Sequence, residues 1–312
     1  MLEAFEVVAP TGKRISLHAE TNSIMERRES RLRAAGRTEA IAHLDARPAV
    51  VAVEAVARAA ILSEWTGARI HVLHISSAAE LRPLAEAKAR GVDITGETCP
   101  HYLLLSEKDY QKFGGVIRVN PPVRETANQL PLWAALLNGT IDIIATDHAP
   151  HAPDEKTRAD IWTVDCGFPG VETQMPLMLT EVSRGRATLQ DYVRWSAEKP
   201  AKLWGLYPSK GTLTVGSDAD IAIVDLHREW TIDDARIQSR SKISPWHGRQ
   251  ATALPIHTLV RGRFVMKHRT LQEDARGSGR SVHAIQTMPP AAPRNTATTM
   301  AAITARREGL PR

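Results

Sequence analysis

The stretch Gly139-Thr140-Ile141-Asp142-Ile143-Ile144-Ala145-Thr146-Asp147-His148-Ala149-Pro150-His151 decides how the chain is read. Ile141 to Ala145 is a short, mostly apolar, β-branched run, the pattern of a parallel strand covered on both faces. It runs straight into Asp147, His148 and His151. A carboxylate and imidazoles at the C-terminal tip of a buried strand are what an α/β barrel uses for chemistry. On this stretch alone a second reading stands equally: Asp147 caps a turn and the histidines lie on the surface.

The flanking chain repeats the pattern. Arg14 to His18 reads as a strand ending on His18, and Arg69 to His74 as one ending on His74. Val92 to Glu97 is a third, leading into Thr98-Cys99-Pro100-His101. Between them lie helical stretches: an arginine-rich, solvated run at 23–47, an apolar helix from Ala49 to Trp65, and helices at Ala78–Arg90 and Leu130–Asn138. This βαβα alternation predicts an α/β fold with a parallel sheet. The irregular stretch from His151 to Gly170 has the length of a substrate-covering loop. Further helices follow, over Val171–Ser183, Thr188–Ala197 and Pro200–Leu206. Gly211–Asp225 and His257–Val265 then read as short strands of a small β unit outside the barrel.

His18, His74 and Asp147 all close strands. Two imidazoles and a carboxylate suit zinc or a similar divalent metal. Each histidine taken singly is more often a packed or surface residue; three such tips in one barrel favour the metal. A metal there would polarise a carbonyl and bring the pKa of bound water from about 15.7 to about 7. Asp147 could then carry the proton to a leaving nitrogen. Asn120 and His151 would face the same cavity and bind a polar or anionic substrate. Arg124 fits that role or a structural ion pair.

Composition excludes several classes. The 312 residues are 43% hydrophobic and 24% charged, as in an ordinary globular protein, and hold no apolar run of membrane-span length. Aromatic residues make up 5%, too few for a base-stacking platform. From Lys267 to Arg312 there are eight Lys/Arg against three Asp/Glu, which accounts for the whole formal charge of +5. The basic character therefore belongs to the tail and is weak evidence for a nucleic-acid partner. Cys99 and Cys166 make no disulfide framework, which suits a reducing cytoplasm.

Leu17-His-Ala-Glu20, Val72-Leu-His-Ile-Ser-Ser77, Glu97-Thr-Cys-Pro-His-Tyr-Leu103, Asn120-Pro-Pro-Val-Arg124 and Thr146-Asp-His-Ala-Pro-His151 together carry a resemblance. In this order they resemble the motifs of the dihydroorotase, allantoinase and hydantoinase branch of the amidohydrolase superfamily. Gly211–Asp225 is similar to that superfamily's returning β segment, and the likeness spans roughly residues 10–266. It implies a TIM-type (β/α)8 barrel with a small β-sandwich, a binuclear zinc site and hydrolysis of a cyclic amide C–N bond. It implies His18, His74 and Asp147 as metal ligands, with Asp147 also the proton shuttle. It implies Asn120, His151 and Gly167 as substrate-binding positions. The Asn-Pro-Pro form and Gly170-Val-Glu-Thr173 are closer to dihydroorotase than to allantoinase or hydantoinase/dihydropyrimidinase.

The chain also departs from that pattern. No His-x-His pair precedes His18, and only 17 residues stand before it. The bridging Lys or Asp of the family and the dihydroorotase arginine have no counterpart. The resemblance therefore implies the C-terminal half of the barrel over residues 1–210 and part of the sandwich over 211–270. Residues 271–312 read as a disordered basic tail. The ligands present suffice for one zinc at most, not the family's two. A small cyclic amide or ureide is the expected partner, with no nucleic acid and no membrane. Half a barrel leaves two sheet edges and half a core uncovered. It calls for a second copy in a homo-oligomer or for a missing N-terminal half. The competing reading is a non-catalytic fragment or an assembly-dependent homologue.

Overall fold

The computed structural model describes residues 1–282. Its frame is a four-stranded parallel sheet in the consecutive order β1 (Arg14–Leu17), β2 (Arg69–Val72), β3 (Ile94–Thr98) and β4 (Ile143–Ile144). β1 and β2 pair from Arg14↔Arg69 to Leu17↔Val72, and β2 and β3 from Ile70↔Ile94 to Val72↔Gly96. Each crossover passes through helix, as parallel neighbours require.

The helices form where the sequence leaves no better option. Val50–Thr66 buries Val51, Ala52, Ala55, Val56, Ala59, Ala60 and Ser63, a stripe at helical spacing. Gly67 ends it in the left-handed conformation, with its N–H on the Ser63 carbonyl. Gly139 closes the Gln129–Asn138 helix in the same conformation. Ile70, Val72, Ile94 and Ile144 pack with Val56, Leu84, Leu132, Leu136 and Trp195 into one core. The alternate residues of β2 and β3 are polar: His71 Nδ1 lies 2.8 Å from Thr95 Oγ1 and its Nε2 lies 3.0 Å from Glu97 Oε2.

β4 is shorter than the expected Ile141–Ala145 run. Asp142 N and Ala145 N still bond to the Gly96 and Thr98 carbonyls of β3, so the ladder extends past the regular strand. Among the described residues, β1 and β4 have no further partner on their outer edges.

The second sheet is antiparallel, in the order β10 (Thr270–Leu271), β9 (Arg263–Lys267), β8 (Leu254–Val260), β5 (Ile221–Asp225). A separate pair joins β6 (Trp230–Thr231) to β7 (Gln250–Ala251). The Gly211–Asp225 strand thus begins only at Ile221. The expected tail overlaps described structure at its start. Leu271 pairs with Met266, Gln272 N bonds to the Val265 carbonyl, and Arg263 reaches Asp274. Local hydrogen bonding orders this segment, which apolar periodicity does not reveal. Residues 283–312 of the expected tail lie outside the described residues. Among those described, no helix is long and apolar enough to cross a membrane.

Candidate functional site

Of the polar residues expected at the strand ends, the structure brings His18 and His74 into contact. His18 follows β1 and His74 lies two residues beyond β2. Their rings meet edge to face, with His18 Nδ1 3.0 Å from His74 Nε2. That is a hydrogen-bond distance, and it is close to the separation of about 3.3 Å between two nitrogens on one tetrahedral zinc with Zn–N bonds of about 2.0–2.1 Å. His74 and Asp147 have φ of 39° and 47°, in the left-handed region. Non-glycine residues there are uncommon and cluster at functional sites.

Each group has its own surroundings. His74 is buried, and burial together with the neighbouring His18 lowers its pKa to about 4, so the ring stays neutral. His18 is 44% exposed at its side chain, on the open edge of the sheet, and its Nε2 meets Glu20 Oε2 at 3.0 Å. Asp147 is half-buried; burial and the charge of Glu97 raise its pKa to about 6, against the opposing effect of His18. Among the described residues, His74 Nδ1, Glu20 Oε1, His101 Nε2 and Asn120 Oδ1 are buried and find no hydrogen-bond partner. Buried polar atoms of native proteins nearly always have a partner, so those left free mark where a ligand with complementary polar groups can bind. Two facing imidazole nitrogens are donors that a divalent metal takes; Asp147 is coupled to His18 by charge but does not join the pair in a donor cluster within 4.8 Å.

The remaining expected residues sit on adjoining loops. Asn120 and Arg124 belong to the segment between the third strand and the Gln129–Asn138 helix. Arg124 is buried; it donates through Nε to Ser76 Oγ at 3.1 Å and through Nη1 to the Arg47 carbonyl, a structural role. His148 accepts from Gly170 N and Val171 N at 3.0 and 3.2 Å, capping the Val171–Ser183 helix. His151 Nε2 lies 3.1 Å from the Cys166 carbonyl and its Nδ1 3.3 Å from Glu155. Among the described residues, His151, Glu155 and Asp165 are the one group of three such side chains whose donor atoms all lie within 4.8 Å of one another.

Gly167 has φ of 121°, and a Cβ there would come within 2.5 Å of Ala149 Cβ and 2.6 Å of its carbonyl oxygen. A Cβ on Gly170 would meet the Thr146 carbonyl at 2.7 Å. The loop after β4 is therefore clamped by the Cys166–Gly170 segment, and only glycine allows the approach.

Sequence reasoning missed Glu20, Arg47, His71 and Glu97. Glu20 was visible as a charge two residues past a strand-end histidine. Arg47 could be joined to it only by the fold.

The Amidohydrolase family model matches residues 1–265, and the chain belongs to that family. It is 37% identical over 268 residues to an L-hydantoinase of Paenarthrobacter aurescens, covering 85% of this chain and 58% of that protein. It is 33% identical over 270 residues to an allantoinase of Solibacter usitatus, covering 86% and 59%. Identity to a dihydroorotase of Acetivibrio thermocellus is 42% over 217 residues, covering 69% and 50%. The solved L-hydantoinase (dihydropyrimidinase) from Arthrobacter aurescens superposes with a TM-score of 0.85 at 36% identity, over 87% of this chain and 61% of that one. The chain thus spans about three fifths or less of the length of these relatives.

Proposed function

We propose that this chain supplies the metal-binding C-terminal part of a hydrolase acting on cyclic amide C–N bonds, dihydroorotase-like in substrate. The observation that carries the proposal is the 3.0 Å approach of His18 Nδ1 to His74 Nε2 at adjacent parallel strand tips. His18, His74 and Asp147 would hold a zinc ion. Bound there, the metal supplies Lewis acidity to the ring carbonyl and to water. Asp147 accepts the proton of the attacking water at a carboxylate oxygen and delivers it to the departing ring nitrogen. Asn120, whose buried Oδ1 has no partner among the described residues, would orient the ring by hydrogen bonding, and His151 would bind its polar substituent by exchanging its present contacts with the Cys166 carbonyl and Glu155. Gly167 presents its backbone to the substrate.

A dihydroorotase reading draws support from the 42% identity to the Acetivibrio thermocellus enzyme and from the Asn120-Pro-Pro segment. It would place the reaction, ring opening of dihydroorotate to carbamoyl-aspartate or its reverse, in cytoplasmic pyrimidine biosynthesis. Hydantoin opening is the second reading, favoured by the longer match to the L-hydantoinase. Residues 1–210 serve in this account as barrel and 211–270 as sandwich. The open edge of β1, the half-exposed His18 ring and the 76% exposed Leu213 on the second unit favour completion by a further half-barrel or a second copy. Turnover of dihydroorotate, hydantoin and allantoin by the complete native enzyme is the test. Hydrolysis lost in Asp147→Ala supports the mechanism; near-wild-type turnover in that variant rules it out.

A further inference from the structure

Glu20 is a carboxylate with a fully buried side chain, next to a histidine that is 44% exposed. Burying a carboxylate is costly unless it is paired and hydrogen-bonded. Its Oε2 takes two donors, His18 Nε2 at 3.0 Å and Arg47 Nη1.

The contact fixes the chemistry of the ring. A carboxylate offers only acceptors, so Nε2 of His18 must carry the hydrogen. A neutral imidazole then has its lone pair on Nδ1, the atom that faces His74 Nε2. Among the described residues, His74 and Glu20 are the only hydrogen-bond partners of His18.

We propose that Glu20 is the positioning residue for His18, fixing the tautomer and ring orientation that present Nδ1 to a metal. The proposal rests on the reading of His18 and His74 as ligands. The hold extends further by a continuous run of contacts. Arg47 clamps Glu20, and its carbonyl accepts from Arg124 Nη1. Arg124 Nε donates to Ser76 Oγ, and Ser76 donates through N and Oγ to the buried Glu80 at 3.1 and 3.0 Å. Ser76 stands two residues after His74, so one network spans both histidine-bearing loops and ends the Asn120–Arg124 segment. Carboxylate partners of ligand histidines are worth 10–100-fold in metal affinity.

The test is zinc affinity by chelator competition on the full chain, for wild type, Glu20→Ala and Glu20→Gln, with thermal unfolding of each metal-free protein. The expected result is zinc binding by wild type, about 10–100-fold weaker in Glu20→Ala and between the two in Glu20→Gln. If Glu20 served only to tie down Arg47, Glu20→Ala would lower the metal-free unfolding midpoint while the folded protein kept its affinity, and that result overturns the proposal. Should Glu20→Ala not fold, Glu20→Gln decides, and wild-type affinity in it overturns the proposal as well. A wild-type chain that binds no zinc overturns the ligand reading and this inference with it. Wild-type binding with unchanged variants overturns this inference alone.

Discussion

Replacing Asp142 by alanine should loosen the sheet where it carries Asp147. Asp142 Oδ2 accepts from Gly96 N at 2.9 Å and from Lys88 Nζ at 2.7 Å, so one side chain pins the start of β4 to β3 and to the Leu81–Ala89 helix. Gly96 is buried, and Ile75 and Leu84 crowd the space beside it. Alanine would leave its N–H unpaired and out of reach of water, at about 1–3 kcal/mol. The Lys88 ion pair contributes less, about 1 kcal/mol, because Lys88 is 25% exposed at its side chain and keeps the Thr140 carbonyl at 2.8 Å. The total is about 3 kcal/mol, which for a chain of this size lowers Tm by about 5 °C. Asp142→Asn keeps an acceptor for Gly96 and should cost about 1 kcal/mol, close to the ion-pair contribution alone. Thermal unfolding followed by circular dichroism measures both. Equal midpoints for wild type and Asp142→Ala would refute the reasoning.

Gly167→Ala meets Ala149 at 2.5 Å in a left-handed conformation, so it should destabilise by about 2–4 kcal/mol and displace the loop after β4; an unchanged midpoint and unchanged KM would contradict this. Asn120→Ala should raise KM for a carboxylate-bearing ring more than it lowers kcat, and equal losses on hydantoin and allantoin would remove the dihydroorotase preference. Burial and the nearby Arg118 hold the His43 pKa far below its ordinary 6.5, so its contribution to stability is present above pH 6.5 and is lost as the pH falls below it. His43→Gln should then flatten acid destabilisation by about 1.4 kcal/mol per pH unit, read from urea unfolding across pH 4–7; an unaltered slope would contradict it.

Much of the parallel sheet was legible because its signals are local. β-branched runs, helical stripes such as Val51 to Ser63, and the glycines at 67, 91 and 139 each act within one element. Their chain order alone predicts consecutive parallel strands. The histidine pair was legible as residue types at strand ends, but its 3.0 Å meeting depends on the register Leu17↔Val72. The left-handed φ of His74 and Asp147 has no sequence signature, since neither is glycine. Glu20 and Arg47 are 27 residues apart, and nothing in either segment announces the other. The end of the second sheet was misjudged because Gln272 and Asp274 are ordered by backbone and ion-pair contacts rather than by apolar burial.

The most direct test of the account is the zinc content of the purified full chain, compared with a His18→Ala/His74→Ala double variant. The account predicts one zinc bound per wild-type chain and none in the double variant, with both proteins folded. Zinc retained by the double variant would move the metal to another cluster, such as His151, Glu155 and Asp165. That result would contradict the assignment of the strand-end histidines.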